Sequence, residues 1–234
     1  MRKLSILHAF LLLFSTSLFS QDSHSEKTKN VKFCGYKFKD TAAIQRDLES
    51  NILFLKINSG DTVIDVGTSS GNYIGALNAI GSFTKVHFIL VDIDSNCLNQ
   101  VKVNNMISYY QGLRGSPFNN TISVVVNTPD SLYLPLNRYK KLLIINTLHE
   151  IDDKEKMAKQ LAAVLQPGGE LIVGELSPEG KRTIHQGCNK PLMSPDEIIN
   201  LFNRFGFKFL EMENVEPGWH KHKRPVYLIR LSKM

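Results

Sequence analysis

Cysteine is scarce in this chain of 234 residues: Cys34, Cys97 and Cys188 are the whole complement. An odd count allows one intrachain disulfide with a thiol left over, and it excludes a small disulfide-stapled scaffold. Cys97, on the helix expected after Asp94, reads as a small packed residue. That leaves Cys34 and Cys188 as the pair an oxidising compartment could join. Tryptophan occurs once, at Trp219. The basic run His220-Lys221-His222-Lys223-Arg224 therefore has only Trp219 and Tyr227 beside it for stacking, too little for a single-strand nucleic-acid groove. The net charge of +6 is mild, so a solvated basic face is expected and no nucleic-acid partner. Internal repeats and low-complexity tracts are absent, which excludes solenoids. No apolar run reaches the ~18 residues of a membrane span.

What is present begins with an address. Met1-Arg2-Lys3 is basic, Leu4 to Phe14 is apolar apart from Ser5 and His8, and Ser15 to Ser20 is rich in small polar residues. That is the layout of a secretory signal peptide over residues 1–20; an uncleaved anchor and a misassigned start are the competing readings. Export to the periplasm or the extracellular space is expected, with no membrane span left after cleavage. Residues 21–39 are polar and Lys-rich around Phe33, Tyr36 and Phe38, and are expected to form a linker or N-terminal extension. The rest, residues 40–234, is long enough for one α/β domain. Its 42% hydrophobic and 21% charged residues lie in the ordinary globular range.

Within that domain, strand and helix patterns alternate. A helical stripe (Ile44, Leu48, Ile52, Leu55) precedes the run Val63-Ile64-Asp65-Val66, which has the β-branched character of a buried parallel strand. Gly67, Gly71 and Gly75 follow, and then helical spacing at Ile74, Leu77 and Ile80. A second strand over residues 86–91 ends in Asp92. A helix is expected from Asp94 to Met106, with a loop at Gly112, Gly115, Pro117 and Asn119. Strands follow at Ile122–Val126 and Leu142–Ile145. The next helix is capped by Asp152 with Glu155 and stops at Gln166-Pro167-Gly168-Gly169. A fifth strand over Leu171–Val173 ends at Glu175. Ser194-Pro195-Asp196-Glu197 is a capping box opening the last helix, and strands at Phe207–Met212 and Val226–Leu231 close the chain around Pro217-Gly218-Trp219.

The first strand, turn and helix place bare backbone and a helix N-terminus against a ligand. The glycines do not fall as G-x-G-x-x-G, and there is no G-x-x-x-x-G-K-[ST], so neither a dinucleotide fingerprint nor a P-loop is present. Asp92, 21 residues after Gly71, stands where a carboxylate can accept both ribose hydroxyls. Asp65-x-Gly67-x-x-x-Gly71 followed by a strand ending in Asp92 resembles class I S-adenosylmethionine-dependent methyltransferases. The stretches Leu148-His149-Glu150-Ile151 and 164–175 are similar to later motifs of the small-molecule members, including the quinone C-methyltransferase group. The resemblance covers roughly residues 40–234. It implies a Rossmann-like doubly wound sheet of seven strands, mostly parallel with the last strand antiparallel, and S-adenosylmethionine as cofactor.

Carried over by that resemblance, Asp65 would orient the methionine ammonium. Gly67, Thr68 and Gly71 would pack against the cofactor, with Ser69 adding polar contacts. Asp92 would hold the ribose, and Asn146 would lie near the sulfonium. Asp130, five residues before Pro135, would accept from the adenine amine; a turn-forming aspartate after Pro129 is the other reading. Ser69 departs from the family pattern, which usually has glycine there, and its side chain narrows the approach. His149 and Glu150 stand where a substrate-side base could be, or form a helix-start pair with no chemistry, so no catalytic residue is assigned. His185 and Cys188, with Cys34, His220 and His222, do not have the spacing of a standard zinc motif, and no metal is expected. The acceptor is expected to be a small molecule, and the oligomeric state is left unassigned. The rival reading is an exported, non-catalytic binding protein that keeps the fold.

Overall fold

The computed structural model describes residues 32–215 and 226–234. The expected signal peptide, Pro217-Gly218-Trp219, His220 and His222 lie outside the described residues. In chain order the elements are α1 (Thr41–Leu55), β1 (Thr62–Val66), α2 (Asn72–Ile80), β2 (His87–Asp92), α3 (Gln100–Arg114), β3 (Thr121–Val126) and β4 (Tyr139–Ile145). After a short 3-10 turn (Leu148–Glu150) come α4 (Lys154–Val164), β5 (Leu165–Leu176), α5 (Pro195–Asn203), β6 (Phe207–Val215) and β7 (Val226–Lys233).

The seven strands form one sheet in the order β3-β2-β1-β4-β5-β7-β6. The first five pair in parallel, and β7 runs antiparallel between β5 and β6. This is the Rossmann-like doubly wound sheet expected. Alternation along the strands splits the core into two layers. Val63, Phe88, Leu90 and Leu143 join α1, α2 and α3 on one face. Ile64, Val91, Leu142 and Ile144 join α4 and α5 on the other. The strand order reverses between β1 and β4, which opens a crevice at their C-terminal ends, the usual ligand position in such sheets.

Three elements differ from the sequence expectation. α3 starts only at Gln100, where Asn99 caps it by accepting from Lys102 N–H, and it runs through Gly112 to Arg114. Its buried face, including Tyr109 and Tyr110, outweighs the helix cost of one glycine. Gln166-Pro167-Gly168-Gly169 is no simple helix stop: β5 starts at Leu165 and includes it, and the register against β4 shifts there. α4 is capped by Asp153, which accepts from Lys156 N–H, whereas Asp152 pairs with Lys190 at 2.6 Å. The capping box at Ser194 and Glu197 forms as read.

Residues 32–39 are folded onto the domain. Phe33 and Phe38 are buried, Phe33 meets Tyr109 edge-on at 5.5 Å, and the Tyr109 hydroxyl donates to the Phe38 carbonyl at 2.5 Å. The disulfide reading is corrected: Cys34 pairs with Cys97, 63 residues away, and Cys188 is the free thiol. Cys97 lies in the turn before α3 rather than inside a helix. Ser70, fully buried, holds the two segments together. Its hydroxyl accepts from Cys34 N–H at 2.9 Å and donates to the Cys97 carbonyl at 2.8 Å.

Far from the crevice, the same face of the sheet buries Arg230 in an ionic cluster. Its guanidinium bonds Glu170 and Glu211, both at 2.7 Å, and stacks 4.9 Å from the Phe54 ring. Lys141 shares Glu170 at 3.0 Å and donates to the Leu55 carbonyl at 2.7 Å, capping the end of α1.

Candidate functional site

The crevice is a cavity of about 800 Å³, within the ~300–1,000 Å³ typical of small-molecule sites. Asp65, Gly67, Thr68, Ser69, Asp92, Asp130 and Asn146 all line it, so the fold gathers residues spread over 82 positions. Gly35, Tyr36 and Phe38 from the N-terminal segment and Leu48 from α1 also line it. Gly71 does not: it caps α2, and a Cβ there would meet Leu90 Cδ1 at 2.5 Å. Gly75 likewise serves packing, letting Met106 and Tyr110 of α3 lie against α2.

The loop geometry follows from backbone chemistry. Gly67 has a φ of +76°, and a Cβ on it would stand 2.0 Å from Thr147 Cγ2, so the loop after β1 can touch the loop after β4 only through glycine. Ser69 has a φ of +55°, the left-handed region, where the family's usual glycine carries no penalty. Its N–H donates to Asp92 Oδ2 at 2.6 Å, while Asp92 Oδ1 accepts from Asp94 N–H at 2.9 Å. Asn146 is also left-handed, at φ +52°, a conformation that asparagine tolerates better than most residues.

Asp65 is the buried charge of the site. Burial, with the Asp92 carboxylate as a lesser contributor, pushes its carboxyl up to about 7 against the lowering effect of Thr68, whose hydroxyl donates to it at 2.6 Å. The cavity thus keeps a desolvated acid that gains from a cationic partner. Asp130 has a different setting. It stands exposed at the rim, paired with Lys156 at 2.5 Å, and that ammonium holds its carboxyl below the usual range. Nearby Asn127 also lines the cavity, and its buried Oδ1 has no hydrogen-bond partner among the described residues. Ile93, 55% exposed, offers an apolar surface beside Asp92. Sequence reading passed over both, because neither belongs to a spaced motif; the one available cue was position at a strand end.

The turn after β4 carries a second cluster. Glu175, buried, accepts from Thr147 N–H at 2.9 Å and sits 2.8 Å from His149 Nδ1. A carboxylate only accepts, so Nδ1 carries a proton, and in the neutral ring Nε2 is the nitrogen with the free lone pair. His149 is 1% exposed, and its Nε2 has no hydrogen-bond partner among the described residues. Its ring lies 4.4 Å from that of His185, whose Nδ1 is 3.2 Å from Cys188 Sγ. Cys34, bound to Cys97, is no part of this cluster.

A profile described as a methyltransferase domain matches residues 41–212. Ubiquinone/menaquinone biosynthesis C-methyltransferases are similar: the Vibrio cholerae protein is 26% identical over 151 residues, 64% of this chain and 49% of its own length. The Vibrio vulnificus protein is 29% identical over the same shares. The chain thus spans about half the length of these curated relatives. A solved S-adenosylmethionine-dependent methyltransferase from Methanosarcina mazei matches with a TM-score of 0.60 at 14% identity, over 78% of this chain and 97% of its own. One from Aquifex aeolicus gives 0.55 at 21% identity, over 85% and 100%. At such identities the structural likeness speaks for the fold, while the profile spans most of the sequence. By that match, the chain belongs to the methyltransferase domain family.

Proposed function

We propose that the protein binds S-adenosylmethionine in this cavity and transfers its methyl group to a small-molecule acceptor. One observation carries the reading: the strand-end carboxylates Asp65 and Asp92 flank a bare glycine turn at the point where the strand order reverses. The residues fit the cofactor. Asp65, buried and with no ion-pair partner among the described residues, would hold the methionine ammonium. Asp92, fixed by two backbone N–H groups, has lone pairs left for ribose hydroxyls. Ile93 would lie under the adenine, with Asn127 and Asp130 at its polar edge. Gly67, Thr68, Ser69 and Asn146 would line the methionine end.

When bound, the cofactor supplies a methyl group already activated on a sulfonium. The protein's part is therefore alignment and exclusion of water, and these can supply much of the barrier reduction. Tyr36, Phe38 and Leu48 form the apolar side of the cavity and limit solvent. Glu150, Ile151 and Asp152 line its far end, where the acceptor would enter. No side chain is assigned as base.

The reading includes an oxidising location outside the cytosol. The basic and apolar N-terminus supports it, as does the Cys34–Cys97 disulfide, a bond that cytosolic reductants would oppose.

Calorimetric titration of S-adenosylmethionine into the full chain tests the cofactor assignment. Micromolar binding that falls at least about tenfold in Asp92→Ala, a loss of ~1.4 kcal/mol, is the expected result. Absence of binding in both proteins overturns it.

A further inference from the structure

Beyond the methyl-transfer site, and independent of it, the cluster behind the β4 turn has the composition of a metal centre. His149 Nε2, His185 and Cys188 present ligand atoms that all lie within 4.8 Å of one another. A Zn²⁺ bound at about 2.0 Å to nitrogen and 2.3 Å to sulfur would set such atoms roughly 3.3–3.5 Å apart. His185 Nδ1 and Cys188 Sγ already stand at 3.2 Å. The turn over residues 185–190, closed by Asn189 N–H to the His185 carbonyl at 2.9 Å, brings these two together.

The third corner is built from the opposite side. His149 is a buried imidazole whose Nδ1 proton is bound to the Glu175 carboxylate, while its Nε2 has no hydrogen-bond partner among the described residues. A buried ring nitrogen with no hydrogen bond, in a residue 1% exposed, costs free energy unless something binds it. A carboxylate that fixes the tautomer of a histidine is also the usual outer partner of a metal-ligating imidazole. Glu150 Oε1 lies 3.8 Å from the same nitrogen, and Glu150 also lines the cavity.

We propose that His149, His185 and Cys188 bind one divalent ion of the zinc class, with Glu175 as the positioning carboxylate. One thiolate and two imidazoles form a borderline-soft set, which favours zinc or cobalt(II) over magnesium or calcium.

The test uses the full chain, loaded with zinc or cobalt(II) and then dialysed. Wild type is expected to retain one ion per chain and, with cobalt, to show thiolate-to-metal charge transfer and the intense visible bands of a tetrahedral site. Cys188→Ser abolishes the charge-transfer band, and His185→Ala removes the retained ion. Glu175→Gln weakens affinity about 10–100-fold. Cys188→Ser and His185→Ala act on partly exposed loop positions, so unchanged far-ultraviolet dichroism separates metal loss from unfolding. His220→Ala/His222→Ala keeps the ion. Retention of zinc by both Cys188→Ser and His185→Ala, its loss in His220→Ala/His222→Ala, or no retained ion in wild type overturns the proposal.

Discussion

The backbone N–H of Ser69 donates to the Asp92 carboxylate at 2.6 Å, tying the glycine loop after β1 to the end of β2. The bond forms only because Ser69 accepts a left-handed backbone, so the loop holds its acid at a conformational cost.

Ser69→Gly removes that cost. A left-handed conformation costs an L-residue roughly 1–2 kcal/mol, and a new glycine returns about 0.4–1 kcal/mol of unfolded-state entropy. The variant should be between neutral and about 1.6 kcal/mol more stable in urea unfolding, and it should bind S-adenosylmethionine more tightly. Weaker binding would show that the serine hydroxyl itself contacts the cofactor.

Asp65 makes stability and cofactor affinity respond to pH in opposite senses. Its carboxyl rises from an ordinary 3.8 to about 7 in the fold, so between those values the native state binds more protons than the unfolded chain. The stabilisation is full below 3.8 and is lost as pH rises through about 7. Asp65→Asn should therefore be more stable than wild type at pH ~8, by up to about 4 kcal/mol, with the gap closing toward pH ~4. Wild-type affinity for S-adenosylmethionine should instead climb up to about tenfold per pH unit below 7, with proton release on binding. Calorimetry in buffers of different ionisation enthalpy reads that release directly.

The Cys34–Cys97 bond closes a loop of 63 residues and pins Gly35, Tyr36 and Phe38 at the cavity. Its loss in Cys97→Ser should cost about 2–4 kcal/mol in urea unfolding. Reduced wild type should unfold at the same midpoint as the variant. Cofactor binding should weaken alongside, because the segment covering the site loses its anchor.

Arg230 and Lys56 both bond Glu211 at 2.7 Å, but their surroundings differ. The Arg230 side chain is 2% exposed and that of Lys56 59%. Arg230→Ala removes a buried guanidinium packed on Phe54, and should destabilise by about 3–5 kcal/mol. Lys56→Ala loses a surface pair and should stay within ~1 kcal/mol of wild type. Thermal unfolding of the two variants side by side checks the contrast.

Much of this protein could be read from its residues in order. Periods of two and of 3.6, and caps such as Ser194 with Glu197, are local properties, so strands, helices and their alternation showed in the sequence. The glycine turn between Asp65 and Asp92 was legible for the same reason: its parts follow one another along the chain. Boundaries failed where long-range packing overruled local signals, as when Tyr109 and Tyr110 carried α3 past Gly112. The partner of Cys34 was not legible, because Ser70 and the turn before α3 meet it only in the folded sheet. Nor was the approach of His149 to His185 and Cys188, or the carboxylate of Glu175 behind it. The first contact joins the turn after β4 to a loop more than 30 residues away, and the second spans 26 residues. Spacing along the chain carries no information about such a meeting; the doubly wound sheet creates it by laying β4 beside β5.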